Sequence, residues 1–112
     1  MESEVNKLLR DILTSIDAID SYILGKRSFE IYKSNRIIRS AIEREIEIIG
    51  EATRNILKIH PNIQITAKRK IVDLRNIVAH AYDTLDDAAM WAIVINQLPV
   101  LKSEVESLLK QE

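Results

Sequence analysis

Apolar residues recur along this chain at intervals of three and four, the spacing that lines one face of an α-helix. Val5, Leu8, Leu9, Ile12, Ile16, Ile19 and Ile23 trace a single stripe and predict a helix over residues 2–24. Gly25 marks its stop, Lys26 and Arg27 follow, and Ser28 is placed to cap the next helix. That second helix is predicted over residues 29–59, with a bend at Ser34-Asn35. Ile38, Ala41, Ile42, Glu45, Ile49, Ala52 and Ile56 mark its inner face, and Ile46 and Ile48 widen it. Glu43, Arg44, Glu47, Glu51 and Arg54 supply the polar side. Gly50 interrupts the pattern at a cost of about 1 kcal/mol relative to Ala, which close approach of a neighbouring helix would offset.

His60-Pro61-Asn62 ends the second helix, because a residue before Pro is pushed out of the α region. A third helix is predicted over residues 66–80, with Ile71, Leu74 and Val78 facing inward. Asp83-Thr84-Leu85-Asp86 breaks the period, and Asp86 is placed to cap a fourth helix that opens with Asp87-Ala88. Trp91, Val94, Ile95 and Leu98 continue its face. Pro99 either opens a last helix carrying Val100, Leu101, Val105, Leu108 and Leu109 or kinks one longer helix, and both readings stand. The pattern predicts an all-α, up-and-down bundle of four to five helices in one domain over residues 1–112. Apolar positions on more than one side of the second helix point to a partner helix from a second subunit.

Composition supports the all-α reading. With two Gly and two Pro in 112 residues, the chain lacks the turn residues a β-sandwich needs. At 46% hydrophobic and 29% charged it falls in the globular range. Sixteen basic and 17 acidic residues leave a net charge of −1, so nucleic-acid binding would need a local patch or an assembly. The absence of Cys excludes disulfides, thiolate metal sites and a Cys nucleophile. His60 and His80 lack H-x-x-x-H spacing, so neither a metal nor another cofactor is expected, and His60 reads as a loop residue. The charged start, MESEVNKLLRD, is unlike a signal peptide, and no apolar run approaches the ~20 residues that span a bilayer. A soluble, cytoplasmic protein without a membrane partner is the expectation.

The stretch LRNIVAHAY, residues 74–82, sets Arg75, Asn76, His80 and Tyr82 within an apolar run, where unpartnered polar groups are costly. At about 100° per residue, Arg75 and His80 stand about 140° apart on a straight helix. Either the helix ends near Ala79 and His80 swings round, or a second copy of the segment completes the site. Asn76, four residues before His80, is placed to reach the imidazole and hold one tautomer. An imidazole suits proton transfer at neutral pH, and a guanidinium suits a phosphate and the charge of its transition state. RNA carries its own nucleophile in the 2′-OH, so such a pair would need no metal. The alternative is a hydrogen-bonded network at a helix C-terminus, where Arg and His also sit well against the dipole.

RNIVAHAY matches the R-x-x-x-x-H-x-Y signature of the HEPN superfamily. With IEREIEIIGEATRNI upstream and MWAIVINQLPVL downstream, the chain resembles its HepT branch, the toxin half of HEPN–MNT toxin–antitoxin pairs. The resemblance implies a helical homodimer with two R-x4-H motifs facing across a cleft, and a metal-independent ribonuclease activity on RNA, tRNA among the candidates. It implies Arg75 and His80 as the catalytic pair, with Asn76 as the polar neighbour. Tyr82 matches the tyrosine that the MNT-type nucleotidyltransferase antitoxin modifies with AMP, and bulk and negative charge there would block a phosphate-binding cleft. The family commonly has Gly between the His and the Tyr. Here Ala81 stands there, disfavouring a left-handed turn by about 1 kcal/mol or more.

Further candidates have two readings each. Glu51 is placed to orient Arg75, or to form a solvated or interhelical ion pair, and Glu45 shares the choice. Lys68, Arg69 and Lys70, with Lys26, Arg27, Arg36 and Arg39, form a phosphate-gathering surface or an ordinary solvated one. Trp91 stacks a base or fills the core, and Tyr22 and Tyr32 are open in the same way. The rival to a nuclease is a non-catalytic helical module, in which Arg75, His80 and Tyr82 dock a partner nucleotidyltransferase or a nucleotide.

Overall fold

The computed structural model describes residues 3–23, 28–79 and 87–111, and of residues 74–79 it describes the backbone alone. Helix α1 is Glu4–Ile23, α2 is Phe29–Ser34 and α3 is Arg36–Ile59. Helix α4 is Lys68–Ala79, and α5, Asp87–Ala92, passes through a π-helical segment, Ile93–Gln97, into α6, Leu98–Lys110. No strand occurs among the described residues. Helix α3 is the centre of the bundle. It packs against α1 most extensively, then against α4, while α6 closes on α1 and the short α2 bridges α3 and α5.

The apolar stripe of α1 becomes one wall of the core, with Leu9, Ile12, Ile16, Ile19 and Ile23 buried. Ile42, Ile46, Ile49, Ala52 and Ile56 of α3 form the facing wall, and Met90, Val94, Leu98, Leu101 and Val105 close it. Gly50 is buried among them, where a side chain would have to be housed. Thr53 is also buried, and its hydroxyl donates to the Ile49 carbonyl at 2.8 Å, so the polar atom is satisfied within its own helix. Glu45 is half-buried rather than part of the inner wall, and it accepts a 3.1 Å hydrogen bond from the Tyr22 hydroxyl of α1. That bond holds the Tyr22 phenol protonated beyond its usual range.

The bend expected at Ser34-Asn35 is a full break. Asn35 is extended at φ −111°, ψ 102°, and its side-chain oxygen accepts from the Ile38 N–H at 3.1 Å, which caps α3. On the other side of the break, Ser34 Oγ donates to the Glu30 carbonyl at 2.6 Å and Arg39 donates to the Lys33 carbonyl at 2.6 Å. The break therefore satisfies the backbone groups that both helix ends expose. Ser28 caps α2 as expected, accepting from the Ile31 N–H.

Both readings of Pro99 survive in part. The chain is helical from Asp87 to Lys110, yet Pro99 lies in the first turn of α6. In a regular α-helix its ring would collide with the carbonyl four residues back, that of Ile95. Over the preceding turn the helix widens, and the Leu98 N–H reaches five residues back to the Ile93 carbonyl. The π segment thus lets one long element carry a proline without breaking.

Helix α4 begins later than its sequence pattern suggests, at Lys68. The connection before it is anchored by Ile63 and Ile65, both buried, which the helical period did not mark. Glu104 of α6 holds that connection from outside, accepting from the Thr66 N–H at 3.0 Å and the Thr66 hydroxyl at 2.6 Å. Lys68 reaches back to the Pro61 carbonyl at 2.7 Å. Of the inward positions expected on α4, Ile71 is buried, whereas the side chains of Leu74 and Val78 lie outside the described residues.

Candidate active site

Helix α4 carries Arg75 and Asn76, the first residues of the motif. Arg75 and Asn76 are helical in their backbone, in a helix that runs to Ala79. The side chains of Arg75 and Asn76 lie outside the described residues, as do His80, Ala81, Tyr82 and the cap expected at Asp86. What the structure supplies is the frame around them. The described helical backbone ends at Ala79, so the placement of His80 relative to Arg75 lies outside the described residues.

Asp87 is the first residue of α5, which packs on α2. Three charged groups meet there. The Asp87 and Glu43 carboxylates act on the Tyr32 phenol in the same direction, and the Arg39 guanidinium opposes them. Burial, the larger cause, and the two carboxylates push Tyr32 far above its ordinary range. Glu43 is itself pushed up, first by burial and then by Asp87, against the pull of Arg39. Tyr32 is completely buried, and its hydroxyl has no hydrogen-bond partner among the described residues. Its ring stacks on Trp91 at 5.4 Å between centroids, with Phe29 at 6.4 Å from both. Trp91 is therefore held in an aromatic cluster that pins α2 to α5, rather than offered to solvent as a stacking platform.

The other candidates separate. Glu51 is exposed and lines a groove that α3 shares with α1, together with Leu8, Asp11, Arg44 and Glu47. Arg36 is exposed at the start of α3, Arg39 is tied to the α2 carboxyl end, and Lys26 and Arg27 lie outside the described residues. His60 is the exposed C-cap of α3, and its backbone N–H closes that helix on the Ile56 carbonyl. Among the described residues no three His, Cys, Asp or Glu side chains gather into a metal-binding group.

Sequence reasoning did not anticipate a second groove, between α3 and α4, lined by Arg54, Leu57, Lys58, Arg69, Val72 and Asp73. Arg54 and Lys58 are one turn apart on α3, and Arg69 and Asp73 are one turn apart on α4. Only the antiparallel pairing of two separate helices brings the two sets together.

A helical frame with Arg75 and Asn76, the start of the R-x4-H-x-Y motif, on α4 is one side of the comparison with known proteins. The other is direct. The sequence profile described as "Ribonuclease HepT-like" matches residues 12–108, which include every described helix in whole or part and the whole motif. The chain belongs to the HepT-like ribonuclease family. Its HepT-like relatives include "Putative RNase MJ1380" of Methanocaldococcus jannaschii, 35% identical over 92% of this chain and 94% of that protein. "Probable ribonuclease HepT" of Thermococcus cleftensis is 32% identical over 91% of this chain and 93% of its own length. A third, "Gamma-glutamylcyclotransferase and putative RNase MJ0434" of M. jannaschii, is 28% identical over 99% of this chain, which spans 50% of that larger protein. No solved structure matches the chain significantly.

Proposed function

We propose that this HepT-like chain is a metal-independent endoribonuclease, acting in the cytoplasm as the toxin of a HEPN–MNT toxin–antitoxin pair. The observation that carries the reading is the family match over residues 12–108, with Arg75, His80 and Tyr82 at R-x4-H-x-Y spacing inside it. In this reading the span 1–112 is one domain, and two copies place their motifs across a shared cleft. That arrangement answers the 140° separation, because each copy supplies what the other's helix turns away.

The chemistry follows from the residue types. A His80 imidazole removes the proton of an RNA 2′-OH, and the oxygen attacks the adjacent phosphorus. The O2′–P bond forms as the P–O5′ bond breaks, and the partner subunit's His80, as imidazolium, returns a proton to O5′. The products are a 2′,3′-cyclic phosphate and a 5′-hydroxyl. Arg75 binds the non-bridging oxygens and offsets the charge that grows on them. Asn76 and Glu51 act as supporting residues, Asn76 by holding the imidazole tautomer. An antitoxin that transfers AMP from ATP to the Tyr82 hydroxyl, releasing pyrophosphate, places negative charge two residues from His80 and closes the cleft to phosphate.

The test is cleavage of total tRNA and mRNA by the purified chain in EDTA, beside an Arg75→Ala/His80→Ala variant shown to be folded by circular dichroism. Cleavage by the first and not the second is expected. If neither cuts RNA and both bind a nucleotidyltransferase equally, the motif is a docking surface and the nuclease reading fails.

A further inference from the structure

We infer that the α3–α4 groove is the track along which the phosphate backbone of a single RNA strand approaches the motif. The inference rests on the ribonuclease reading above and adds to it a binding surface outside R-x4-H. The groove is open, about 380 Å³, and is lined by Arg54, Leu57, Lys58, Arg69, Val72 and Asp73. Three cations and one carboxylate leave it with an excess of positive charge, in a chain whose net charge is −1.

Those cations are not occupied by other described residues. Arg54, Lys58 and Arg69 are exposed, and none has an ion-pair or hydrogen-bond partner among the described residues. They differ in this from Lys68, which is spent on the Pro61 carbonyl, and from Arg39, bound to the Lys33 carbonyl. Placement of Arg69 also runs against local stability. It stands in the first turn of α4 with Lys68 and Lys70, and that turn holds no acidic residue. Cations there oppose the helix dipole. Arg69, set against its own helix dipole and without a partner among the described residues, is placed for an anion from outside.

Direction comes from the register of α4. Val72 and Asp73 lie three and four residues after Arg69, and Asn76 lies four and three after them, so the groove face of α4 leads to the register position of Asn76. From Arg69 to Asn76 the helix rises about 10 Å. A phosphate chain held by Arg54, Lys58 and Arg69 is thus aimed at the end of α4 that carries the motif. Leu57 and Val72, both half-buried, form the apolar floor on which sugars and bases can rest.

The probe is a fluorescein-labelled 2′-O-methyl oligouridine of about 20 nucleotides, which binds as RNA does but lacks the nucleophile. Its anisotropy is titrated with the full chain, the Arg54→Gln/Arg69→Gln variant and the Arg54→Lys/Arg69→Lys variant, at several salt concentrations. Cleavage of unmodified RNA and sedimentation are measured on the same samples. The Gln pair is expected to weaken binding about tenfold or more and to flatten the dependence of log K on log salt by about 1.4, two phosphate contacts' worth. The Lys pair is expected to retain most of the affinity, and Asp73→Asn to raise it. If the unaltered chain binds and cleaves RNA while the Gln pair matches it in affinity and salt slope, the track is wrong and the ribonuclease reading stands. If the unaltered chain neither binds nor cleaves RNA, both fall. A Gln pair that converts a dimer to a monomer would show that a second copy, not RNA, covers this groove.

Discussion

Helices α1 and α4 both lie against α3, but they are held there by different means. Helix α1 commits a full apolar stripe, Leu9, Ile12, Ile16, Ile19 and Ile23, and packs on α6 as well as α3. Helix α4 packs chiefly on α3, and among its described side chains only Ile71 is buried. Its start is fixed by polar tethers instead, Thr66 to Glu104 and Lys68 to Pro61. A helix secured by apolar area has few positions left for chemistry. One secured at its end by hydrogen bonds can keep Arg69, Asp73 and the residues beyond them for an outside ligand. The scaffold and the working element of a small bundle are in this way separated by the kind of interaction that holds each.

Core truncation is the strongest way to expose that difference. Ile12→Ala, at a fully buried α1 position, is expected to destabilise the chain by about 2–5 kcal/mol in urea unfolding. Ile71→Ala on α4 is expected at the low end of that range, because Arg69, Lys70 and Asp73 beside it are exposed. Equal losses at the two sites would mean that α4 is as deeply integrated as α1.

A smaller change should act on α4 alone. Glu104→Ala removes the acceptor for both Thr66 groups and is expected to lower global stability by about 1 kcal/mol. Amide exchange should rise first over residues 66–73, with α1 protection unchanged. Uniform loss of protection across α1 and α4 would contradict a local tether.

Glu43 on α3 and Asp87 at the start of α5 give a third test. Glu43 is pushed up in the folded state, by burial first and Asp87 second, so the native protein binds its proton more tightly than the unfolded chain does. Stability from this group is therefore present at low pH and is lost as pH rises through the folded value. Glu43→Gln should raise the urea midpoint at pH 7 and leave it nearly unchanged near pH 4. The effect is modest, since the side chain is only half-buried. An equal gain at both pH values would point to packing rather than charge.

How far these features could be read in advance depended on the range of the interaction. The stripe of α1, the cap at Ser28 and the stop at His60-Pro61 are local, governed by side chains within four residues of each other, and they lie where the sequence pattern puts them, whereas the bend at Ser34-Asn35 became a break capped by Asn35. Ile63 and Ile65 were not marked as core, because a two-residue alternation in a short connection carries no helical period. The spacing in RNIVAHAY, with the blocks on either side, was enough to indicate the family. Nothing local indicated that Glu104 would serve a residue 38 positions earlier.

By itself, then, the sequence determined the helical class, the stripe of α1, the cap at Ser28 and the family to which the chain belongs. Each of these is written in the identity and spacing of neighbouring residues. Tertiary structure alone decided that Pro99 is carried inside one long helix by a π turn, that Trp91 stacks on a buried Tyr32, and that Arg54 and Lys58 face Arg69 and Asp73 across one groove. Those outcomes depend on which helix faces meet, and the free energy of that choice comes from apolar area summed over the whole core rather than from any single stretch of chain.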